Sequence, residues 1–555
     1  MSMSAPHRGW GPSHQYLPPP RDDGKHRWLA WSIGLGFVAF ELFSHRVLSD
    51  GGLRAASFTV HTMVLSGLAL LALVLLARGL QSWWAQHLYK RRPAPSRPSE
   101  PVIDAAAVRA HSLRLGGGAY LGIAPGGRWV TADPEHAVMV LGPPRSGKTS
   151  AIVIPSVLAA PGAVVSTATK PDVLDATWRS RRQIGQVWLY DPSGERQEWP
   201  AGIRRLCWSP VPAASTWDGA LLMARAMAAG GSSAKGTTNE HHWRERSTAL
   251  LAPLLHAAHL TDRQVTHVLT WVLRAELEPA RKALEDHGAH VAADMLAGIA
   301  KTDERERSSI LSATAGVLAA YNADATRRNA AHPNFDPDQF AASTDTIYIT
   351  APAHKQALCA PLVVGLLEQI RHATYQQAPA ATRDGRPPVY LCLDEVANIA
   401  PIHDLPALVS EAGGQHLHVM VCLQDLSQAR KRWGENTADG FLSLFQTKVI
   451  LNGIADPKTL EAISLCLGEY DRELVTHTLG RSQTKPDLFD TPPPTDTENV
   501  AYHTARQRTL SPGEIARLPP GRALHLQGTR WRLIRSTAWH RTLPWKRIAL
   551  TRPLD

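Results

Sequence analysis

Residues 137–149 read AVMVLGPPRSGKT: five apolar residues, then the octet GPPRSGKT at 142–149. The octet fits the spacing GxxxxGK[ST]. Its flanks also fit, because an apolar strand-like run leads in and SAIVIPSVLAA (150–160), a helical pattern, leads out. Gly142 and Gly147 let the backbone curl so that successive N–H groups face an anion. The helix that follows turns its positive end to the same point. The loop Gly142, Pro143, Pro144, Arg145, Ser146, Gly147, Lys148, Thr149 and Ser150 is therefore expected to cradle phosphates. Lys148 would reach the β- and γ-phosphates, and Thr149 would offer its hydroxyl to Mg²⁺. The expected ligands are ATP and Mg²⁺. The alternative, a chance glycine–lysine turn, leaves the order strand, loop, helix unexplained. Pro155 predicts a kink in the helix.

A loop of this kind needs an acid at the tip of a neighbouring strand. PPVYLCLDE (387–395) supplies an apolar run ending in Asp394 and Glu395. Asp394 would hold the Mg²⁺ through water, and Glu395 would act as general base on the attacking water. Paired acids beside an apolar core are costly unless they serve a purpose. Lys148 and Asp394 are 246 residues apart, which rules against a compact small GTPase. No LSGGQ-type signature precedes Asp394, which argues against an ABC transporter. The run HVMVCL (418–423) ends at Gln424. An amide there would touch both γ-phosphate and lytic water and report nucleotide state. The alternative is a solvent-facing glutamine.

Seven strand-like runs, 137–141, 163–167, 186–190, 346–350, 389–393, 418–423 and 448–453, alternate with helical stretches. Continuous apolar strands separated by helices predict an α/β domain with a mainly parallel sheet buried on both faces. Between 215 and 332 helical patterns follow one another at 217–229, 241–259, 263–286, 288–300 and 305–321, which reads as an all-helical insertion. Two loose stretches are expected, one at 230–238 and one at 480–500.

The chain has 555 residues, enough for two or three folded units. Five scattered cysteines form no CxxC pair, so buried thiols are expected rather than disulfides or zinc. The net charge is +10, and residues 521–555 carry eight Lys/Arg against Asp555 alone. That surplus favours a polyanionic partner, nucleic acid or acidic lipid. Near the start, 28–43 and 55–77 are apolar, the second long enough for a bilayer core of ~30 Å. Positive charge is richer outside the pair than between them, so both termini are expected to be cytoplasmic. A Pro-rich linker, RRPAPSRPSEP (91–101), follows.

The chain resembles the type IV secretion coupling proteins, the TraG/TraD-like conjugative DNA-transfer ATPases. The resemblance rests on MVLGPPRSGKTSAIVIP (139–155), VVSTATKPDVLDATWRSR (164–181), VWLYDPSG (187–194), LCWSPV (206–211), HHWRERSTALLAPLLHAA (241–258), YLCLDEVANIAPI (390–402), VCLQDLSQA (421–429) and LSPGEIARLPPGRALHLQG (510–528). It implies an α/β, RecA-like P-loop NTPase domain with an inserted all-helical domain, behind a two-helix transmembrane anchor in a bacterial inner membrane. The expected boundaries are a cytoplasmic tail (1–27), a transmembrane hairpin (28–90), a linker (91–106), nucleotide-binding parts (107–214 and 333–530), a substrate-recognition insertion (215–332) and a basic tail (531–555). The resemblance also implies a homo-hexamer, a relaxase or other secreted substrate, and a type IV secretion inner-membrane channel as partner. In such rings an arginine from a neighbour completes each site. EAGGQ (411–415) lacks one where relatives carry it, and Arg430 is a substitute. Lys170 and Asp172 in TATKPD are either nucleotide or neighbour contacts or a structural turn.

A pump for DNA grips phosphate without reading sequence, so the expected DNA contact is non-sequence-specific. Trp531, Trp539 and Trp545 lie among arginines, a mixture suited to stacking on single-stranded bases. The alternation in WRLIR (531–535) favours the other reading, a half-buried edge strand with its arginines facing solvent. The function expected is coupling of ATP hydrolysis to recruitment and translocation of DNA or relaxase–DNA. The alternatives are a coupling ATPase for protein effectors only and a nucleotide-switched receptor that does not pump. A segregation pump of the FtsK type is a further relative by mechanism, without its terminal winged-helix reader here.

Overall fold

The seven apolar runs are strands because each is buried on both faces. The computed structural model describes residues 105–196, 198–231, 240–482 and 495–550. In chain order the strands are β1 (Tyr120–Ile123), β2 (Trp129–Thr131), β3 (Val138–Leu141), β4 (Val164–Ala168), β5 (Val187–Tyr190), β6 (Arg204–Arg205), β7 (Thr346–Thr350), β8 (Val389–Leu393), β9 (Leu417–Leu423), β10 (Thr447–Leu451), β11 (Glu469–Ser482), β12 (Thr495–Arg508), β13 (Arg522–Gln527) and β14 (Arg530–Arg535). Every residue of β3, β4, β5, β8, β9 and β10 is buried.

Twelve of the strands form one sheet in the order β2-β1-β14-β13-β10-β3-β9-β8-β4-β7-β5-β6. From β10 to β6 all neighbours are parallel. From β10 through β13, β14 and β1 to β2 they are antiparallel. Alternate residues of β3 face opposite cores. Met139 and Leu141 join the core shared with the helices of 217–330, and Val138 and Val140 join the one built around Ile152, Val157 and Trp545. This two-sided burial is what a parallel sheet requires.

Between β6 and β7 the described residues hold no strand. Helices run Trp217–Gly230, Glu240–Leu260, Val265–Arg274, Glu278–Asp286, His290–Ala300, Glu304–Val317 and Asp324–Ala330. The stretch 263–286, read from sequence as one helix, is two. Ala275 takes a left-handed conformation (φ 56°) that ends the first, and Pro279 opens the second. The helix Trp217–Gly230 packs against Glu240–Leu260 and against Gln356–Arg383. Gly230 permits that approach, since a Cβ there would lie 2.9 Å from the Pro361 Cα.

No helix among the described residues is long and apolar enough to cross a membrane. This overturns the expectation of a multi-pass inner-membrane protein with cytoplasmic termini. The longest described helix, Gln356–Arg383, spends most of its apolar residues on the core and carries Glu368, Gln369, Arg371 and Gln377 along its length. The segments 28–43 and 55–77, on which the expectation rested, lie outside the described residues.

The basic C-terminal stretch is folded onto the domain. β14 pairs with β13 along its whole length and reaches β1 at Ile123↔Arg535, so it is not an edge strand. Trp545 is buried, with its ring 4.8 Å from Trp129 and 4.7 Å from Tyr120. It is a core residue, unavailable for stacking on bases. β11 and β12 form a separate two-stranded ribbon in which the described side chains of Glu469–Leu479 are all exposed. The loose region expected over 480–500 thus ends in strand on both sides.

Candidate phosphate-binding and active site

Because β9 lies between β3 and β8, three parallel strands deliver their tips to one edge: β3 leads to Gly142, β9 to Gln424 and β8 to Asp394. The carboxyl ends of strands in an open α/β sheet are where ligands bind. Gly142 starts the loop by donating its N–H to Leu423 O at 3.1 Å. A Cβ on Gly142 would lie 2.5 Å from Ser146 Oγ and 2.9 Å from Leu451 Cβ, so only glycine fits. Gly147 sits at φ 100° and Arg145 at φ 66°, the left-handed conformations that let the loop curl. The first turn after the loop, Lys148–Val153, is a π-turn, and the regular helix begins at Ile154. The change of register coincides with Pro155, which has no N–H to continue the ladder.

Lys148 is buried and its Nζ donates to Gly142 O (2.5 Å) and Pro143 O (3.2 Å). Thr149 Oγ1 donates to Asp394 Oδ2 at 2.7 Å. Asp394 is 5 % exposed, and burial holds its carboxyl above the usual carboxylate range, against the opposing pull of Thr149 and Lys148. Its backbone is fixed from β4, where Thr167 Oγ1 donates to Asp394 O at 2.9 Å. Glu395 is a non-glycine residue at φ 56°, an uncommon conformation of the sort that gathers at functional sites. Its Oε2 accepts from Asn398 Nδ2 at 3.2 Å.

Pro144, Arg145, Gly147, Lys148, Thr149 and Ser150 line a cleft of about 380 Å³ together with Asp394 and Glu395. Lys170 and Asp172, which sequence left open between ligand contact and turn, line the same cleft. Thr169, beside them, accepts from Gln356 Nε2 at 2.9 Å. Gly142, Pro143 and Ser146 lie in the loop behind it. Gln424 is half-buried at the tip of β9, is not part of the lining, and its backbone N–H donates to Gln428 Oε1 at 2.9 Å.

Arg430 has an intramolecular partner: its guanidinium pairs with Asp456, the N-cap of the helix Pro457–Cys466. In the turn before β9, a Cβ on Gly413 would lie 2.1 Å from Glu135 O, so close backbone packing accounts for the glycine there.

A family model described as type IV secretory system conjugative DNA transfer matches residues 96–526. The conjugal transfer protein TraG of Escherichia coli is 24% identical over 326 residues, covering 54% of this chain and 49% of its own length. VirD4 of Rhizobium rhizogenes is 22% identical over 354 residues, covering 62% of this chain and 51% of its own length. The chain thus spans about half the length of the curated relatives it matches. The solved plasmid coupling protein TrwB, in complex with the non-hydrolysable ATP analogue ADPNP, aligns with a TM-score of 0.54 at 19% identity, over 73% of this chain and 86% of that one. This last likeness is one of fold.

Proposed function

The chain belongs to the type IV secretory system conjugative DNA-transfer family, and from that premise we propose that it is a P-loop ATPase that couples ATP hydrolysis to the recruitment and passage of DNA, or of a relaxase–DNA complex, into a conjugative secretion channel. The observation that carries the reading is the Thr149–Asp394 hydrogen bond beside Lys148 in the strand-tip cleft. ATP is the substrate, and the structure of TrwB with ADPNP supports that assignment by fold.

The residues fit a magnesium ion held jointly with substrate. No group of three or more His, Cys, Asp or Glu side chains among the described residues could hold a metal. A hydroxyl and one carboxylate at hydrogen-bond distance suit a hard cation that keeps water and phosphate oxygens as its other ligands. When bound, magnesium supplies charge neutralisation at the β- and γ-phosphates. The chain's own groups do the rest. The loop N–H groups orient the triphosphate. Lys148 exchanges its two carbonyl acceptors for phosphate oxygens. Glu395, half-buried and turned by its left-handed backbone, takes the proton of the attacking water through a carboxylate oxygen. Gln424 positions that water or senses the γ-phosphate from the strand between.

The reading includes assembly as a homo-hexamer around translocating DNA gripped by its phosphates, and membership of the conjugative DNA-transfer family is what supports it. ATP turnover of the full chain, measured with and without single- and double-stranded DNA, tests the proposal. Stimulation by DNA is the expected result. Turnover indifferent to both forms favours a coupling ATPase for protein substrates, and no turnover under any condition removes the motor.

A further inference from the structure

We propose that a second cavity, adjoining the phosphate cleft, receives the ribose and base of the nucleotide, with Trp539 as the stacking platform. The cavity, about 650 Å³, is lined by Ser150, Ile154, Asp172, Asp175, Ala176, Arg179, Trp539 and Ala549. It shares Ser150 and Asp172 with the phosphate cleft, so the two spaces meet at those residues. This assignment rests on the phosphate loop being a nucleotide site.

The geometry follows from helix periodicity. Asp172, Asp175, Ala176 and Arg179 recur at i, i+3, i+4 and i+7, one face of the helix Asp172–Arg181. Ser150 and Ile154 are one turn apart on the segment that leaves the phosphate loop. A groove between these two elements runs away from the phosphates. Asp172 to Arg179 spans about 10 Å at 1.5 Å per residue, a distance that suits a ribose followed by a purine. Asp172, at the junction, is placed to accept from ribose hydroxyls. Asp175 and Arg179, further along, are placed at the polar edge of the base, one accepting and one donating. The Arg179 guanidinium carbon lies over the Trp178 ring, 4.7 Å from its centroid.

The remaining wall comes from the C-terminal segment. The turn Trp539–Arg541 packs on the π-turn that follows the phosphate loop, and the helix Trp545–Leu550 packs on Ile154–Ala159 and Asp172–Arg181. Trp539 is half-buried against the same core. Trp539 and Ala549 both lie beyond residue 526, where the family match ends. The aromatic wall thus comes from a segment that the family match does not cover, and it gives a purpose to a tryptophan first read as a surface for nucleic acid.

The test compares binding of Mg-ATP and of Mg-tripolyphosphate to the full chain by calorimetry, in wild type, Trp539→Ala and Trp539→Phe. The expected result is that wild type prefers ATP, that Trp539→Ala weakens ATP by roughly 5- to 100-fold while tripolyphosphate is unchanged, and that Trp539→Phe restores most of the loss. Asp175→Ala should weaken ATP alone in the same way. Equal weakening of both ligands in Trp539→Ala, or no weakening of ATP, overturns the stacking assignment. Wild-type protein that binds both ligands equally sinks the base pocket and leaves the phosphate loop standing. Wild-type protein that binds neither sinks both.

Discussion

Thr149 Oγ1 and Asp394 Oδ2 are joined by a 2.7 Å hydrogen bond across 245 residues of chain. The two ends of the site are therefore brought together by the sheet before any ligand is considered. The helices described over 217–330 lie between them in sequence and leave the contact intact.

Replacing Lys148 by alanine removes the one cation buried in the loop. ATP turnover is expected to fall by about 10²–10³, as for loss of a single transition-state donor. Circular dichroism should stay unchanged, since the ammonium bonds only to Gly142 O and Pro143 O of its own loop. Turnover above a tenth of wild type would remove Lys148 from the chemistry.

Glu395→Gln keeps the volume and the hydrogen bond from Asn398 but removes the base. Turnover should drop by about 10²–10⁴ while ATP still binds. A variant that hydrolyses at the wild-type rate would assign the water to another group.

Asp394→Asn separates catalysis from stability. Burial raises the folded carboxyl above its ordinary range. The folded state then binds more protons than the unfolded one across the window between the two values, so this residue's contribution to stability falls as pH rises through it. Asparagine keeps an oxygen for Thr149 and has no charge to bury. The variant should therefore melt at a higher temperature than wild type at pH 7 without nucleotide, with turnover lost. A lower melting temperature would mean that the charge is compensated in the empty site.

Much of this site was readable in the chain. The strands that build it are uninterrupted apolar runs, and GPPRSGKT and LDE mark their tips. Lys170 and Asp172 were visible only as alternatives, because nothing in TATKPD says whether the helix after β4 starts inside or outside the cleft. The antiparallel flank was harder to see. β1 and β2 are four and three residues long, set among glycines, and carry too few residues to show a period. Among the described side chains of β11 and β12 none is buried, so residues such as Leu474, Thr476 and Thr478 show no alternation of apolar with polar. Trp545 was hidden by Lys546 and Arg547, which disguise a core residue as part of a basic tail.

His418 offers a pH test remote from the chemistry. It is 2 % exposed, its Nε2 accepts from the Ala119 N–H at 3.1 Å and its Nδ1–H donates to Pro134 O at 3.1 Å. Burial pushes its pKa down to about 4. The unfolded chain binds a proton near pH 6.5 that the folded chain refuses until about pH 4, so stability is full above 6.5 and is lost as pH falls through that window, by about 3 kcal/mol for this residue. His525, also lowered to about 4 by burial, adds a second proton. Chemical denaturation between pH 4 and 7 should show this slope, and His418→Gln, which keeps one acceptor and one donor, should flatten it by about one proton. An unchanged slope would place the proton uptake elsewhere.

β9 is hydrogen-bonded to β3 on one side and to β8 on the other, in register from Val138↔Met420 and from Val389↔Leu417. The lysine loop and the acidic pair are therefore mounted on two slats of one stiff board with β9 as the slat between them, and neither travels relative to the other without tearing a ladder. A power stroke in such a machine has to originate in what hangs from the slat ends: loops, the helical segment, or a neighbouring copy that swings while the hearth stays still.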